Sequence, residues 1–253
     1  MSEASAGTRV AIVTGAARGI GAATAIRLAQ DGFAVAVLDL DEAAAKGTVE
    51  AIEAAGGTAL AVGADVSIES DVLRLFATID ERLGPLSALV NNAGVLETQT
   101  RVDSIDAARI GRVFATNVTG AFLCARETVK RLSTARGGAG GAIVNVSSRA
   151  AQLGAPGEYV DYAASKAALD TLTIGLALEV AAEGIRVNGV RAGIIDTDIH
   201  ASGGEPRRVD RLGPQLPMKR AGHAIEVARA ILWLLSDEAS FSTGTFIDVA
   251  GGR

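Results

Sequence analysis

The sequence predicts an α/β fold, a doubly wound parallel sheet with helices on both faces, and two observations carry that prediction. Short β-branched runs alternate with longer helical patterns along the whole chain, which implies parallel strands joined by right-handed crossovers. The 253 residues are 49% hydrophobic but only 4% aromatic. Such a core is built from Ala, Val, Ile and Leu, the composition of buried parallel strands covered by Ala-rich helices. The length suits one large α/β unit. With no composition shift and no internal repeat, residues 1–253 are expected to form a single domain.

Taken in order, Val10–Thr14 predicts the first strand and Ile20–Asp31 the first helix. Ala34–Asp39 with Glu42–Ala55, and Thr58–Val62 with Glu69–Leu83, repeat the pair. Leu86–Asn91 is a fourth strand, followed by a long helix within Ala107–Leu132. Ala142–Ser147 and the helix Val160–Ala182 come next, then the sixth strand Ile185–Arg191, the helix Ala224–Leu235 and a seventh strand, Thr245–Val249. Ser133–Gly141, with its run of glycines, reads as a flexible surface loop. Thr197–Arg220 is long, polar and poorly patterned, and a segment of that length inside a compact domain reads as a substrate lid.

Composition narrows the function classes. A net charge of −5 argues against nucleic acid or an anionic membrane as main partner. The single cysteine, Cys124, excludes an intramolecular disulfide and a cysteine-rich metal site. His200 and His223 offer no metal-ligand spacing, so no metal is expected. Met1–Gly7 lacks a basic stretch followed by an apolar one, and no apolar run approaches the ~20 residues of a membrane span. The sequons at Asn117 and Asn145 are then irrelevant to glycosylation, and a cytoplasmic location is expected.

Three features carry chemistry. Thr14-Gly15-Ala16-Ala17-Arg18-Gly19-Ile20-Gly21 joins the first strand to the first helix. Its glycines let the backbone approach a ligand closely, and the helix N-terminus presents free N–H groups to a diphosphate. Asp39 closes the second strand, where a carboxylate accepts hydrogen bonds from ribose hydroxyls and repels a 2′-phosphate. Capping of the next helix is its alternative role, which Asp41 fits better. Arg18 cuts the other way, since a guanidinium there could bind a 2′-phosphate. NAD is preferred over NADP. Finally, Tyr162 and Lys166 share a helix face at i and i+4, and a neighbouring cation can lower a phenol's pKa by roughly 1–3 units, which suggests a proton-transfer site.

These motifs, with Asp65-Val66, Asn91-Asn92-Ala93-Gly94, Asn117, Ser147-Ser148 and Gly193-Ile194-Ile195-Asp196-Thr197, make the chain resemble the short-chain dehydrogenase/reductase family from about Thr8 onward. The resemblance implies a Rossmann fold and hydride transfer between a nicotinamide cofactor and a secondary alcohol or ketone. It implies that Tyr162 is the general acid or base, that Lys166 lowers its pKa and holds the nicotinamide ribose, and that Ser148 binds the substrate oxygen. Asn117 would hold a water that relays protons to Lys166, or would satisfy a buried backbone group. Cofactor contacts would come from Gly15, Arg18, Gly19, Ile20 and Gly21, from Asp39, Asp65 and Val66, from Asn92, Ala93 and Gly94, and from Gly193, Ile195 and Thr197. For Asp65 a helix N-cap, and for Thr197 an ordinary loop hydroxyl, are the alternatives; Asn91 would mainly tie strands together. The family also suggests a homotetramer, and the apolar excess on the helices around Ala107–Leu132 and Val160–Ala182 agrees with subunit packing.

The sequence departs from the family pattern in three ways. Two adjacent serines compete, with Ser148 favoured, and the Ser148–Tyr162 segment looks one residue longer than usual, within Gly154–Asp161. Tyr159 is a decoy, because Ala163 occupies its i+4 position. Ala192-Gly193 stands where Pro-Gly is usual, which removes a fixed φ and would loosen the strand's end. Within the family the chain looks nearest to glucose 1-dehydrogenase-like members. Arg149, Gln152, Glu158 and Asp161 near the site, and His200, Ser202, Glu205, Arg207 and Arg208 in the lid, could then line a pocket for a sugar or polyol. The alternatives are a 3-oxoacyl-carrier-protein reductase, which would favour NADP and a basic docking surface, and a non-catalytic cofactor-binding scaffold. A serine hydrolase is excluded, since no G-x-S-x-G elbow or histidine partner accompanies Ser148.

Overall fold

The computed structural model describes residues 9–253, so the reading of Met1–Gly7 and the Thr8 boundary of the resemblance lie outside the described residues. Strands β1 (Arg9–Thr14), β2 (Phe33–Asp39), β3 (Thr58–Gly63), β4 (Leu86–Asn91), β5 (Gly141–Ser148), β6 (Ile185–Ala192) and β9 (Phe246–Val249) form one seven-stranded sheet in the order β3-β2-β1-β4-β5-β6-β9. Every neighbouring pair is parallel. The intervening helices are α1 (Gly19–Gln30), α2 (Glu42–Ala54), α3 (Glu69–Arg82), α4 (Ala107–Phe114), α5 (Ala121–Leu132), α6 (Ala150–Leu153), α7 (Val160–Val180), α8 (Ile199–Ser202), α9 (Arg208–Leu212) and α10 (Ala224–Leu235).

Strand alternation builds two cores from one sheet. Ala11, Val13, Val35, Val37, Val90 and Val144 pack with Leu28 of α1, Ile52 of α2 and Ile231 of α10. Val10, Ile12, Ala36, Leu89 and Ile143 face the other way, onto Phe76 and Ile79 of α3, Cys124 of α5 and Val180 of α7. Both faces are covered, so the strands are apolar throughout and carry few aromatics. Asp41 accepts a 2.9 Å hydrogen bond from Ala43 N and caps α2, which leaves Asp39 free for another task.

Four expectations change in three dimensions. The helix predicted within Ala107–Leu132 is interrupted by a π-helical turn, Ala115–Gly120, which carries Asn117. The Ser133–Gly141 segment is an ordered turn: Thr134–Arg136 is 3-10 helical, Gly138 N donates to Ser133 O at 2.8 Å, Gly140 N to Leu132 O at 2.8 Å, and the Ser133 hydroxyl bonds Glu183. Its glycines permit close backbone packing. The strand end at Ala192-Gly193 is tied down despite the missing proline, because Ala192 O accepts from Arg149 N and Gly193 N donates to Val249 O, both at 2.9 Å. Thr197–Arg220 contains α8, α9 and a 3-10 turn, Gly213–Gln215, with Leu212 and Leu216 buried. Helices of four or five residues are too short to display a 3.6-residue period, which is why the segment read as unpatterned. A two-stranded ladder between β7 (Ile195–Asp196) and β8 (Gly222–His223) pins the base of this cap.

Candidate active site

The order of the sheet reverses between β1 and β4, the crevice where ligands of open α/β sheets bind, and the carboxyl ends of β4, β5 and β6 open there into one cavity that Ile20 of α1 reaches from the β1 side. The glycine-rich turn leaves β1 there. Gly15 and Gly19 adopt φ of +64° and +59°, and a Cβ on Gly21 would lie 2.2 Å from the Gly15 carbonyl oxygen. Only glycine lets α1 start this close to the turn. The Asn92 amide donates to Thr14 O at 2.8 Å and Gly15 O at 2.9 Å, while the Thr14 hydroxyl accepts from Asn92 N and Ala93 N at 2.9 Å. Asn92 therefore holds the cradle in shape as well as lining the cavity.

Asp39 sits at the outer end of the cradle, its carboxylate accepting from Ala17 N at 3.0 Å and Leu40 N at 2.9 Å. Arg18, just before α1, makes no side-chain cap bond. Asp65 does not cap a helix: its Oδ1 accepts from Ser67 N at 2.9 Å and the Ser67 hydroxyl at 2.7 Å, and Ile68 occupies the N-cap of α3. Val66 is buried against Gly120. On the opposite wall, Thr197 packs over the cradle, its Cγ2 3.3 Å from where a Gly19 Cβ would be. Ile20, Gly193 and Ile195 complete this half of the lining.

The two serines separate cleanly. Ser147 is buried, its hydroxyl turned to Lys166 O at 3.3 Å. Ser148 lines the cavity beside Tyr162; its Oγ accepts from Ala150 N at 3.1 Å and donates to Ala192 O at 3.4 Å. Lys166 is 3% exposed; its Nζ donates to Val146 O at 2.8 Å and stands 5.7 Å from the centroid of the Tyr162 ring. Asn117 is fully buried: Oδ1 accepts from Val95 N at 2.7 Å, and Nδ2 donates to Val95 O at 3.1 Å and the Ser165 hydroxyl at 2.9 Å. Its side chain is thus engaged by the Val95 backbone and the Ser165 hydroxyl. Both its Oδ1 and Lys166 Nζ lie 3.4 Å from where a Gly94 Cβ would be, so Gly94 lets them converge. Asn91 ties strands together, donating to Asn145 at 3.0 Å and Ala121 O at 3.2 Å.

One electrostatic expectation is reversed. Burial pushes the Tyr162 phenol up to about 12, and the group opposing that rise is Ser148, through its hydrogen bond. Burial also brings Lys166 down to about 8, against a smaller upward pull from Asp170. Lys166 does not lower the Tyr162 pKa here, because desolvation dominates both groups and the ammonium is directed at a backbone carbonyl.

The polar residues assigned to a sugar pocket are largely spent on one another. Asp161 forms a buried ion pair with Arg109, at 2.7 and 3.2 Å, and Arg109 also donates to Thr98 O at 2.7 Å. Burial favours protonation of the Asp161 carboxyl, but Arg109 holds it below its ordinary range. Arg109 was missed in the sequence; its signal is a basic residue at i−4 from the buried Val113, on the inward face of α4. Arg208 is buried between Glu158 and Glu205, at 2.5 and 2.6 Å, and Glu205 also binds Arg211 and Gln99. Arg149 bonds Asp248, Gln152 and Arg253 O; Arg207 faces solvent beside Asp210. Tyr159, the decoy, donates to Gly203 O at 3.1 Å and forms cavity wall with Leu96, Leu153, Ala155, Ile194 and Ile199. Ala155 holds a left-handed φ of 43° in the longer Gly154–Asp161 segment, strain of a kind concentrated at functional sites.

Comparison with known proteins gives this geometry its family. A family model described as enoyl-(acyl carrier protein) reductase matches residues 15–253. The chain belongs to the short-chain dehydrogenase/reductase family. It is 60% identical to the uncharacterized oxidoreductase YgfF of Escherichia coli K12 over 96% of this chain and 99% of that one. It is 42% identical to cis-4-hydroxycyclohexanecarboxylate dehydrogenase of Sinomonas cyclohexanicum over 96% of each chain. Glucose 1-dehydrogenase 2 of Bacillus subtilis is 36% identical, over 96% of this chain and 94% of the relative. Among solved structures, 3-ketoacyl-(acyl-carrier-protein) reductase from Brucella melitensis complexed with NADH superposes with a TM-score of 0.90 at 31% identity, over 98% and 99% of the two chains. This member of the family is an NAD(P)-dependent oxidoreductase acting on CH–OH groups.

Proposed function

We propose that this chain is an NAD-preferring dehydrogenase of a secondary alcohol, or reductase of the matching ketone, with Ser148, Tyr162 and Lys166 as its catalytic residues. The observation that carries the reading is the convergence of Ser148, Tyr162 and the buried Lys166 on one cavity, which Ile20 of the glycine-rich turn and Asn92 also line. The cradle fits a dinucleotide: Gly15, Arg18, Gly19, Ile20 and Gly21 would hold the diphosphate, Asp39 the adenosine ribose, and Asp65, Val66, Asn92, Ala93 and Gly94 the adenosine side. Lys166, Gly193, Ile195 and Thr197 would hold the nicotinamide half. When bound, a nicotinamide cofactor supplies the hydride acceptor or donor.

The chain's own residues manage the oxygen and its proton. Ser148 donates to the substrate oxygen and stabilises charge developing on it. Tyr162 gives a proton to that oxygen in reduction and takes it in oxidation. Burial keeps the phenol protonated but weakens it as an acid, so both directions need Lys166 to be redirected from Val146 O toward the phenol and the ribose, which would bring the phenol's pKa down. Asn117 acts by holding the Val95 turn and Ser165 in place, so that Lys166 has a fixed neighbour. Tyr162→Phe tests the assignment: kcat is expected to fall about 10²–10⁴-fold with KM for NAD little changed. Unchanged turnover would move the chemistry to another active centre, and a wild type with no turnover on any alcohol or ketone would leave the scaffold reading.

Asp39 supports NAD, since a 2′-phosphate would have to approach a carboxylate already fixed by Ala17 and Leu40. The wild type is expected to show the higher kcat/KM with NAD, and Asp39→Ala to narrow the gap by about tenfold or more. A wild-type preference for NADP would sink this assignment. For the substrate, the pairing of Glu158, Asp161, Glu205 and Arg208 favours a largely apolar ring over a free sugar, which needs many unpaired partners. The cis-4-hydroxycyclohexanecarboxylate named for the Sinomonas relative shares such a ring and adds a carboxylate to it. We further propose that residues 1–253 work as one unit with the cap at 197–220, in a cytoplasmic homotetramer. Phe122, Ile174 and Leu178 on α5 and α7, and Trp233 and Phe241 elsewhere, are exposed apolar side chains that subunit contacts would cover.

A further inference from the structure

We infer that Asp170 is a positioning residue of the same site: from one helical turn beyond Lys166 its carboxylate keeps that side chain in the ammonium form the reaction uses, and Arg191 sets how strongly it does so. This inference rests on the proposed role of Lys166.

Tyr162, Lys166 and Asp170 follow one another at i, i+4 and i+8 along α7, so they share one helix face. Helical side chains lean toward the N-terminus, which carries the Asp170 carboxylate back over the turn that bears Lys166. The strand register brings its partner to the same place. Lys166 Nζ donates to Val146 O, Lys166 O accepts from the Ser147 hydroxyl, and Arg191 is the residue of β6 paired with Ser147. Arg191 Nε donates to Asp170 Oδ2 at 2.8 Å, and the two side chains are 15% and 13% exposed. Asp170 Oδ1 is buried and, among the described residues, has no hydrogen-bond partner. A half-used carboxylate sheltered from water acts on a neighbouring cation with little screening. The Lys166 ammonium is spent on Val146 O, so the coupling acts through space rather than by contact. Burial drives the Lys166 proton off, and Asp170 is the charge that opposes it.

The other charges around α7 are committed elsewhere. Arg191 also reaches Asp248 at 3.6 Å and stacks on Phe246, and Asp248 in turn binds Arg149, the residue after Ser148. Asp170, Arg191, Asp248 and Arg149 therefore alternate in sign from α7 across β6 and β9 to the end of β5. From α4, Arg109 is neutralised by Asp161, and on α5 Glu127 is held by Arg126, Lys130 and Arg131. β4, β5 and the π-helical turn carry no charged residue. When Lys166 leaves Val146 O for the phenol and the ribose, it gives up a hydrogen bond that favours its charged form. Asp170 is the carboxylate on its own face that keeps the proton in place. Arg191 offsets that pull, so the two residues act on Lys166 in opposite directions.

The test follows folding stability by denaturant titration across neutral and alkaline pH in wild type, Asp170→Asn and Arg191→Met, each also combined with Lys166→Met. Burial brings Lys166 from 10.5 down to about 8, so stability rises with pH from that lower value, where the unfolded chain holds the extra proton. Asp170→Asn removes the opposing pull, and the onset of the rise is expected about one unit lower or more. Arg191→Met should move the onset the other way, toward 10.5. Disturbed packing alone lowers the whole curve and leaves the onset in place. With Lys166→Met the rise, and with it both shifts, should disappear. A common onset in wild type and Asp170→Asn, shifts of the same sign in the two variants, or shifts that persist without Lys166 would each overturn the inference. The same variants are then compared in the reduction of cyclohexanone by NADH, where the alkaline limb of kcat/KM should move with the onset. An unmoved limb beside a moved onset would show that the catalytic reading of Lys166 has failed, rather than its coupling to Asp170.

Discussion

Tyr162 and Lys166 are held in opposite electrostatic predicaments by the same apolar wall, and the consequence is measurable without any substrate. The Tyr162 phenol, raised from 10.0 to about 12, keeps its proton longer in the folded chain than in the unfolded one. Its contribution to stability is fully present below pH 10 and is lost as the pH rises through about 12. Lys166, lowered from 10.5 to about 8, behaves inversely. Between those two values the unfolded chain binds the extra proton, so stability rises with pH across that window. Denaturant titrations at a series of pH values should therefore show the alkaline loss between pH 10 and 12 shrink in Tyr162→Phe, and the rise between pH 8 and 10.5 shrink in Lys166→Met. An identical profile in wild type and both variants would mean that neither group is desolvated as described. Arg109 and Asp161 give a second test at this scale. Arg109→Met leaves a buried carboxylate unpaired and should cost about 3–5 kcal/mol, whereas Arg109→Met with Asp161→Leu should recover much of the loss. Additive losses in the double variant would show that the two side chains are not coupled.

At the scale of elements, the site depends on how closely α1, β4 and the cap approach one another. The Gly21 contact with Gly15 O, at 2.2 Å for an added Cβ, leaves no room for a methyl group. Gly21→Ala is expected to push the turn and the helix apart and weaken NADH binding by about tenfold or more, read by quenching or enhancement of its fluorescence. Far-ultraviolet circular dichroism should stay close to wild type, because the rest of α1 is untouched. Wild-type affinity in that variant would show that the cradle does not carry the dinucleotide. The cap is joined to the rest by Arg208, which reaches Glu158 ahead of α7, and by Glu205, which reaches Gln99 after β4. Three segments far apart in sequence are thus joined over the cavity, by a half-sheltered ion pair at Arg208 and an exposed amide–carboxylate hydrogen bond at Gln99.

For the whole molecule, the two cores account for a sheet covered on both faces, yet α5 and α7 still expose Phe122 at 51%, Ile174 at 47% and Leu178 at 79%. Exposed side chains of that size on adjacent helices mark a surface that another subunit would bury. Light scattering of the wild type should give about four times the monomer mass, and Phe122→Asp with Leu178→Asp should lower it. A wild-type monomer at micromolar concentration would overturn the tetramer. Because α7 carries Tyr162 and Lys166, a dissociated variant is also expected to lose part of its activity.

The strand and helix sequence was legible from periodicity alone, since alternation and apolar faces are local properties of the chain. The cradle was legible because glycine and helix N-termini have few other uses at a strand–helix junction, and Asp39 because Asp41 was the better cap. The occupied side chain of Asn117 and the short helices of the cap needed the fold. So did the fate of the charged residues. Arg109 finds Asp161 and Arg208 finds Glu158 only when α4, α7 and the cap are brought together, and no spacing rule reaches across fifty residues. The acidity of Tyr162 was decided the same way. The sequence by itself determined which chemical groups stand at the site; burial, which depends on what packs around them, decided the direction in which their proton affinities move.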